Sequence, residues 1–204
     1  MASGMYSKEE GLAMVKAVRN AIELKLESPL FRKEMLDGYL TGLDRRVGIL
    51  ISLESHPVGV ALGEGGSLTV EKKPADVLVQ YALDAAFSKN SIPLSMPVLD
   101  ETVIKLRISS SLEAIAPESK LVENAYYSER RGICLSAGFW RSFVFPEEAA
   151  SLREQEGSLL DILRRRITPG AAPEASVCTL HSFRLQTFKE DYPGGSISEE
   201  KIWQ

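Results

Sequence analysis

The chain has 204 residues, 44% of them hydrophobic and 25% charged, with a formal net charge of −4 and a pI near 5.4. This composition suits a folded globular chain rather than a disordered one, and its acidity argues against a broad nucleic-acid surface. No apolar run approaches the roughly 20 residues a membrane-spanning helix needs, and no basic stretch leads into an apolar one at the N-terminus, so no secretory signal is expected.

Ser7-Lys8-Glu9-Glu10 has the form of a capping box. Behind it, Leu12, Val15, Val18 or Arg19, Ile22 and Leu26 recur at helical spacing, so a helix ending near Ser28-Pro29 is predicted. Residues 29–46 suit a connection with one short helical turn. Val47–Leu53 reads as a buried strand and Val58–Leu62 as a second, with the glycine-rich segment up to Gly66 as the turn after it. Pro74 then opens a helix whose Val77, Leu78, Tyr81, Ala82, Ala85 and Ala86 share one face.

Ile104, Leu106 and Ile108 alternate with Lys105, Arg107 and Ser109, which predicts a half-buried strand with one basic face. Gly132–Leu135 and Phe139–Phe145 read as a hairpin turning at Ser136-Ala137-Gly138. Phe139 and Trp140 are read as core or inter-lobe packing. Glu147–Leu152 and Ser158–Arg166 read as helices, Thr168–Pro173 as a loop, and Val177–Phe188 as an alternating strand. The order of elements predicts an α+β fold with mainly antiparallel sheets flanked by helices. One domain spans 6–193, and 194–204 form a polar tail.

The Val58-Gly59-Val60-Ala61-Leu62-Gly63-Glu64-Gly65-Gly66 stretch sits where a phosphate-binding loop would be sought. It fails that test: Glu64 follows Gly63 where a lysine is wanted, and Leu68 stands where a dinucleotide fingerprint needs glycine. His56, His181, Cys134 and Cys178 have no zinc spacing. The two cysteines are read as buried thiols rather than a disulfide. Nucleophilic chemistry would need Cys134 or Cys178 with His181, in an electropositive setting. Arg164-Arg165-Arg166 suit a helix C-terminus, where the dipole favours cations. A ligand role for them would require Arg130, Arg131, Lys105 and Arg107 on the same surface, with Tyr126, Tyr127 and Trp140 for stacking.

Several segments together resemble the AMMECR domain over roughly residues 8–193. Ala85-Ala86-Phe87-Ser88 through Ile92-Pro93-Leu94 is similar to that family's helix end and Asp-x-Arg-Phe-Pro-Pro-Leu segment. Val103–Ser109 matches the strand that follows. Arg131-Gly132-Ile133 resembles its His-Gly-Ile, Phe145-Pro146-Glu147-Glu148-Ala149 its Leu-Pro-x-Val-Ala, and Phe188-Lys189-Glu190 its final pattern. The family's Leu-Arg-Gly-Cys-Ile-Gly falls on Val58–Gly63, which keeps Gly63 but lacks the arginine and cysteine; a second register keeps Gly59 instead. Lys89, Ser91 and Arg131 replace the family's Asp, Arg and His.

The resemblance implies a two-lobed protein, with a larger lobe from both chain ends, a smaller middle lobe and a cleft between them. It also implies a cytoplasmic location and self-association or a protein partner. The positions it singles out are Gly59, Gly63, Pro93, Arg131 and Gly132. No catalytic residue, cofactor or metal is assigned, no membrane role is expected, and nucleic acid is disfavoured. The reading favours a binding or scaffold module over an enzyme. The alternative is an enzyme acting on a small anionic metabolite in the cleft, with Arg131 and nearby backbone amides holding the anion. A third reading is an RNA- or translation-associated factor.

Overall fold

The structure is a computed structural model that describes residues 5–28, 30–89, 92–154, 157–167 and 178–200. The described chain forms two compact units, one from 5–109 with 186–200 and one from 110–185. The fold is α+β, as the sequence predicts. The pairings β1–β2, β1–β3, β4–β7, β5–β6, β5–β7 and β8–β9 are all antiparallel.

In the first unit, α1 (Lys8–Glu27) begins where the capping box places it. Ser7 Oγ accepts from the Glu10 amide, and Glu10 Oε2 accepts from the Ser7 amide at 2.6 Å. A short 3-10 turn (Lys33–Leu36) and α2 (Asp37–Leu40) lead to β1 (Val47–Ser55) and β2 (Ala61–Lys72). Then come α3 (Pro74–Phe87), α4 (Met96–Leu99) and β3 (Thr102–Ser109). After the second unit the chain returns as β8 (Leu185–Glu190) and β9 (Ile197–Glu200), giving a sheet of order β2-β1-β3-β8-β9.

Helices α1 and α3 cover one face of this sheet. Ile49, Ile51 and Leu53 stand in register with Ile108, Leu106 and Ile104, and they pack with Phe188 against Met14, Val18, Ile22, Leu78 and Ala82. Gly11 lets α1 lie on Phe188, because a Cβ there would come within 2.1 Å of the ring. The opposite face is polar. Ser52, Glu64 and Lys105 share one register row. Arg107 donates to Ser52 Oγ at 2.9 Å, Ser52 donates to Glu64 at 3.0 Å, and Lys189 pairs with Glu54 at 2.7 Å. Strand β3 is therefore buried on both faces rather than half-buried, with Lys105 paired to Glu200.

Arg19 and Glu190 lie within this unit, 8% and 2% exposed. Glu190 takes both parallel N–H groups of the Arg19 fork, at 2.5 and 2.6 Å, and also accepts from the Ile104 amide. Arg19 Nη2 donates to Thr102 O as well. Burial alone would lower the Arg19 pKa, but the Glu190 carboxylate outweighs it and raises it. Near the other end of β8, Gln186 donates to Tyr6 O and accepts from the Tyr6 amide.

The second unit begins with β4 (Glu113–Ile115), α5 (Ser119–Glu123) and a π-helical turn (Asn124–Ser128). It continues with β5 (Gly132–Ala137), β6 (Trp140–Val144), a 3-10 turn (Pro146–Glu148), α6 (Ala149–Arg153), α7 (Leu159–Ile167) and β7 (Cys178–Phe183). Its sheet order is β4-β7-β5-β6. Val122, Tyr126, Leu152, Leu160 and Leu163 pack on Ile133, Leu135, Val144 and Leu180. The β6 edge is covered where Arg166 donates to Phe143 O.

Several expectations shift. The glycine segment is not a turn after a second strand; Gly63, Gly65 and Gly66 lie inside β2, and the turn is 56–60. The hairpin turns at Gly138-Phe139, where Gly138 has φ 59°, so Phe139 and Trp140 project outward at 104% and 69% exposure instead of packing inward. The strand expected over Val177–Phe188 is, in its described residues, two strands in two sheets, β7 from Cys178 and β8 from Leu185, broken at Arg184. Residues 197–200, placed in a polar tail, pair with β8; Asp191 holds that turn by accepting from Ser196 and Ser198. Pro29, Ser91 and the loop expected at Thr168–Pro173 lie outside the described residues.

The Arg19–Glu190 pair gives a direct prediction. Glu190→Gln leaves a buried guanidinium without its counter-charge and should cost about 3–5 kcal/mol. The R19M/E190M double variant should recover most of that loss. Urea denaturation midpoints check both.

Candidate functional site

The five positions singled out from the sequence fall in three places. Gly59 lies in the β1–β2 turn with φ 78°, its amide donating to Ser55 O, and nothing lies within 4 Å of where a Cβ would stand. Its role is the backbone angle, which only glycine adopts without strain.

Gly63 and Pro93 line two adjoining recesses of the first unit that meet at Ser88. One, of about 380 Å³, is lined by Ala61, Leu62, Gly63, Glu64, Ser88 and Ile92. The other, of about 370 Å³, is lined by Ala86, Phe87, Ser88, Lys89, Pro93 and Leu94. The segment after α3 closes back on β2 where the Ile92 amide donates to Leu62 O at 2.7 Å. The neighbouring glycines serve packing. A Cβ on Gly65 would stand 2.1 Å from Tyr81 O on α3, and Gly66, at φ 110°, lies against Ile49 O. The glycine-rich strand thus lets a helix rest directly on the sheet backbone.

Arg131 and Gly132 belong to the second unit. Gly132 lies under the Phe183 ring, 2.3 Å from where its Cβ would be. Arg131 follows the π-helical turn and Arg130, a non-glycine residue at φ 57°. Its amide donates to Ala125 O. Its Nη2 lies 2.5 Å from Glu113 Oε2, and its Nη1 3.9 Å from Glu129. The close approach to Glu113 lacks hydrogen-bond alignment: Nε and Nη2 are buried atoms without a hydrogen-bond partner among the described residues, as is Ser182 Oγ. Sequence reasoning found Arg131 but not Ser182 or Glu113.

Cys134 and His181 stand directly opposite each other on β5 and β7, whereas Cys178 is three residues from His181 and on the other face. Cys134 is fully buried, and burial pushes its thiol pKa up. That holds it as the unreactive thiol rather than the thiolate a nucleophile requires. Of the basic residues considered together, Arg164 is near Asp161 and Arg166 binds Glu148; Arg153, outside that group, lies over the Tyr127 ring. Lys105 and Arg107 belong to the other unit.

No family model matches the chain. It is similar to a protein of Methanosarcina mazei, 24% identical over 209 residues, with 97% of this chain and 100% of that protein covered. A protein of Methanocella arvoryzae is also 24% identical, with the same coverage. Among solved structures, the crystal structure of an uncharacterized protein from Pyrococcus horikoshii matches with a TM-score of 0.76. The identity there is 19%, over 95% of this chain and 98% of that one. That likeness shows the shared fold.

Two outcomes follow from these placements. Gly65→Ala should lower stability by about 1–3 kcal/mol through overpacking of α3 on β2, measured by chemical denaturation. In thiol labelling at pH 8, the partly exposed Cys178 should react first and Cys134 only on unfolding. Because the Cys134 pKa is raised in the fold, the unfolded thiol loses its proton first as pH rises. Its contribution to stability therefore falls above the unfolded thiol pKa. Labelling of Cys134 at the rate of Cys178 in the native protein would contradict this assignment.

Proposed function

We propose that this chain is a divergent AMMECR-like domain that acts as a cytoplasmic binding or scaffold module for a protein partner. The support for the family reading is the run of matched segments from α3 through β8. The support for the binding reading is one surface: the paired recesses at Ser88 are ringed by exposed apolar side chains. Val60 is 52% exposed, Ile92 49% and Phe87 42%, with Val58 and Met96 nearby in sequence. Leu62, Pro93 and Leu94 form apolar walls, and Glu64 and Lys89 are the ionisable groups of the lining. Apolar side chains left half exposed around a concavity suit the anchor side chain of a partner. This favours recognition over chemistry at this site.

The test compares wild type with the Phe87→Ser/Ile92→Ser double variant. A partner co-purifying with the wild type, or self-association seen by light scattering, should be lost in the variant while its melting temperature changes little. Retention of the same partner or the same oligomer would remove this surface from consideration.

A further inference from the structure

We infer that Arg131 and Ser182 form a subsite for a small oxyanion, a carboxylate or phosphoryl group, whose present competitor is the Glu113 carboxylate. The argument begins with the shape of the guanidinium. Its Nε–H and Nη2–H point the same way and form a fork that matches two oxygens of a planar or tetrahedral oxyanion. In this protein the fork of Arg19 shows the filled state, with both N–H groups on the two oxygens of Glu190. The same two nitrogens of Arg131 are buried and have no hydrogen-bond partner among the described residues. Glu113 Oε2 touches Nη2 at 2.5 Å but lies off its N–H direction.

Strand register adds the second group. Ile133, Ser182 and Glu113 form one row across β5, β7 and β4. Arg131 precedes Ile133 by two residues and shares its face. To reach Glu113 on β4, its side chain must cross β7, two strand spacings of roughly 4.8 Å each. That path runs beside Ser182, whose hydroxyl is 0% exposed and also without a partner among the described residues. Three buried polar atoms that want an oxygen ligand therefore lie at one corner of the sheet. Unpaired buried donors are costly in a folded protein, and each calls for an explanation, a bound ion among them.

The backbone supports the same corner. Arg131 is delivered by a π-helical turn and by Arg130 in the left-handed region, both features that concentrate at functional sites. Glu113 and Glu129 are about half exposed, at 55% and 51%, so they can swing into solvent. An oxyanion on the fork would replace the single misaligned contact to Glu113 with two aligned bonds and one from Ser182. This subsite lies on the second unit and does not depend on the apolar recesses of the first.

The experiment titrates inorganic phosphate and, separately, succinate into wild type, Glu113→Gln, Ser182→Ala and Arg131→Lys, using calorimetry in chloride buffer. Glu113→Gln removes the competitor and should tighten binding about tenfold, the scale of one charge-assisted hydrogen bond. Arg131→Lys keeps the charge but loses the fork and should abolish saturable binding. Ser182→Ala should weaken binding a few-fold with its melting temperature unchanged. Preference for phosphate or for succinate identifies the oxyanion's source. Absence of saturable binding of either anion to Glu113→Gln would overturn the proposal. So would equal binding by Arg131→Lys. If Arg131→Lys fails to fold, equal affinities in Glu113→Gln, Ser182→Ala and wild type overturn it instead.

Discussion

A buried arginine–carboxylate fork holds the first unit closed. Arg19 comes from the N-terminal helix and Glu190 from a strand that arrives only after the chain has built the second unit. Glu190 also caps the Ile104 amide, so one carboxylate ties α1, β3 and β8 together. Burying two charges is expensive, and the cost is offset only where every polar atom is satisfied. Here the geometry meets that condition, and the reciprocal bonds between Tyr6 and Gln186 tie the segment before α1 to the other end of β8. The apolar face of the sheet would pack with many partners. The fork specifies which helix and which strand.

The two arginines show how one side chain can serve structure in one place and recognition in another. Both present the same pair of parallel donors. The Arg19 fork meets a carboxylate that is as buried as itself, so water and ions have no access to compete. Among the described residues the Arg131 fork is approached by Glu113 of a short edge strand, while Glu129 lies near its other nitrogen, and both carboxylates are half in solvent. A partner held in place by packing makes a structural pair, whereas a partner free to leave makes an exchangeable one.

Much of the fold was legible because it is local. The capping box at Ser7 set the start of α1, Pro74 set the start of α3, and the alternation in β3 was read correctly as a strand. Non-local effects defeated the rest. Strand β3 is buried on both faces, because Lys105 and Arg107 are satisfied by residues on β9 and β1 that no window around them contains. The glycines at 63–66 looked like a turn, since nothing in sequence distinguishes a turn glycine from one cleared to admit Tyr81 and Ala85 of a helix. The run 177–188 alternates as one strand would, and only the change of sheet at Arg184 divides it. Ser182 left no sign at all: a serine inside a mixed strand is ordinary until its neighbours prove to offer it no bond.

The glycine-rich strand bears on how far a resemblance should carry chemistry. Gly65 and Gly66 are under a packing constraint, because a Cβ at either meets backbone that cannot move aside. Side chains at the neighbouring motif positions are under no such constraint: Val60 and Ala61 are exposed. Packing therefore demands glycine at these two positions whatever side chains stand beside them, and the pair reports the helix-on-sheet contact. Beside this contact lie the two recesses that meet at Ser88, with Phe87 and Ile92 exposed at their edge, so the constraint that fixes the strand leaves the surface next to it open to side-chain change.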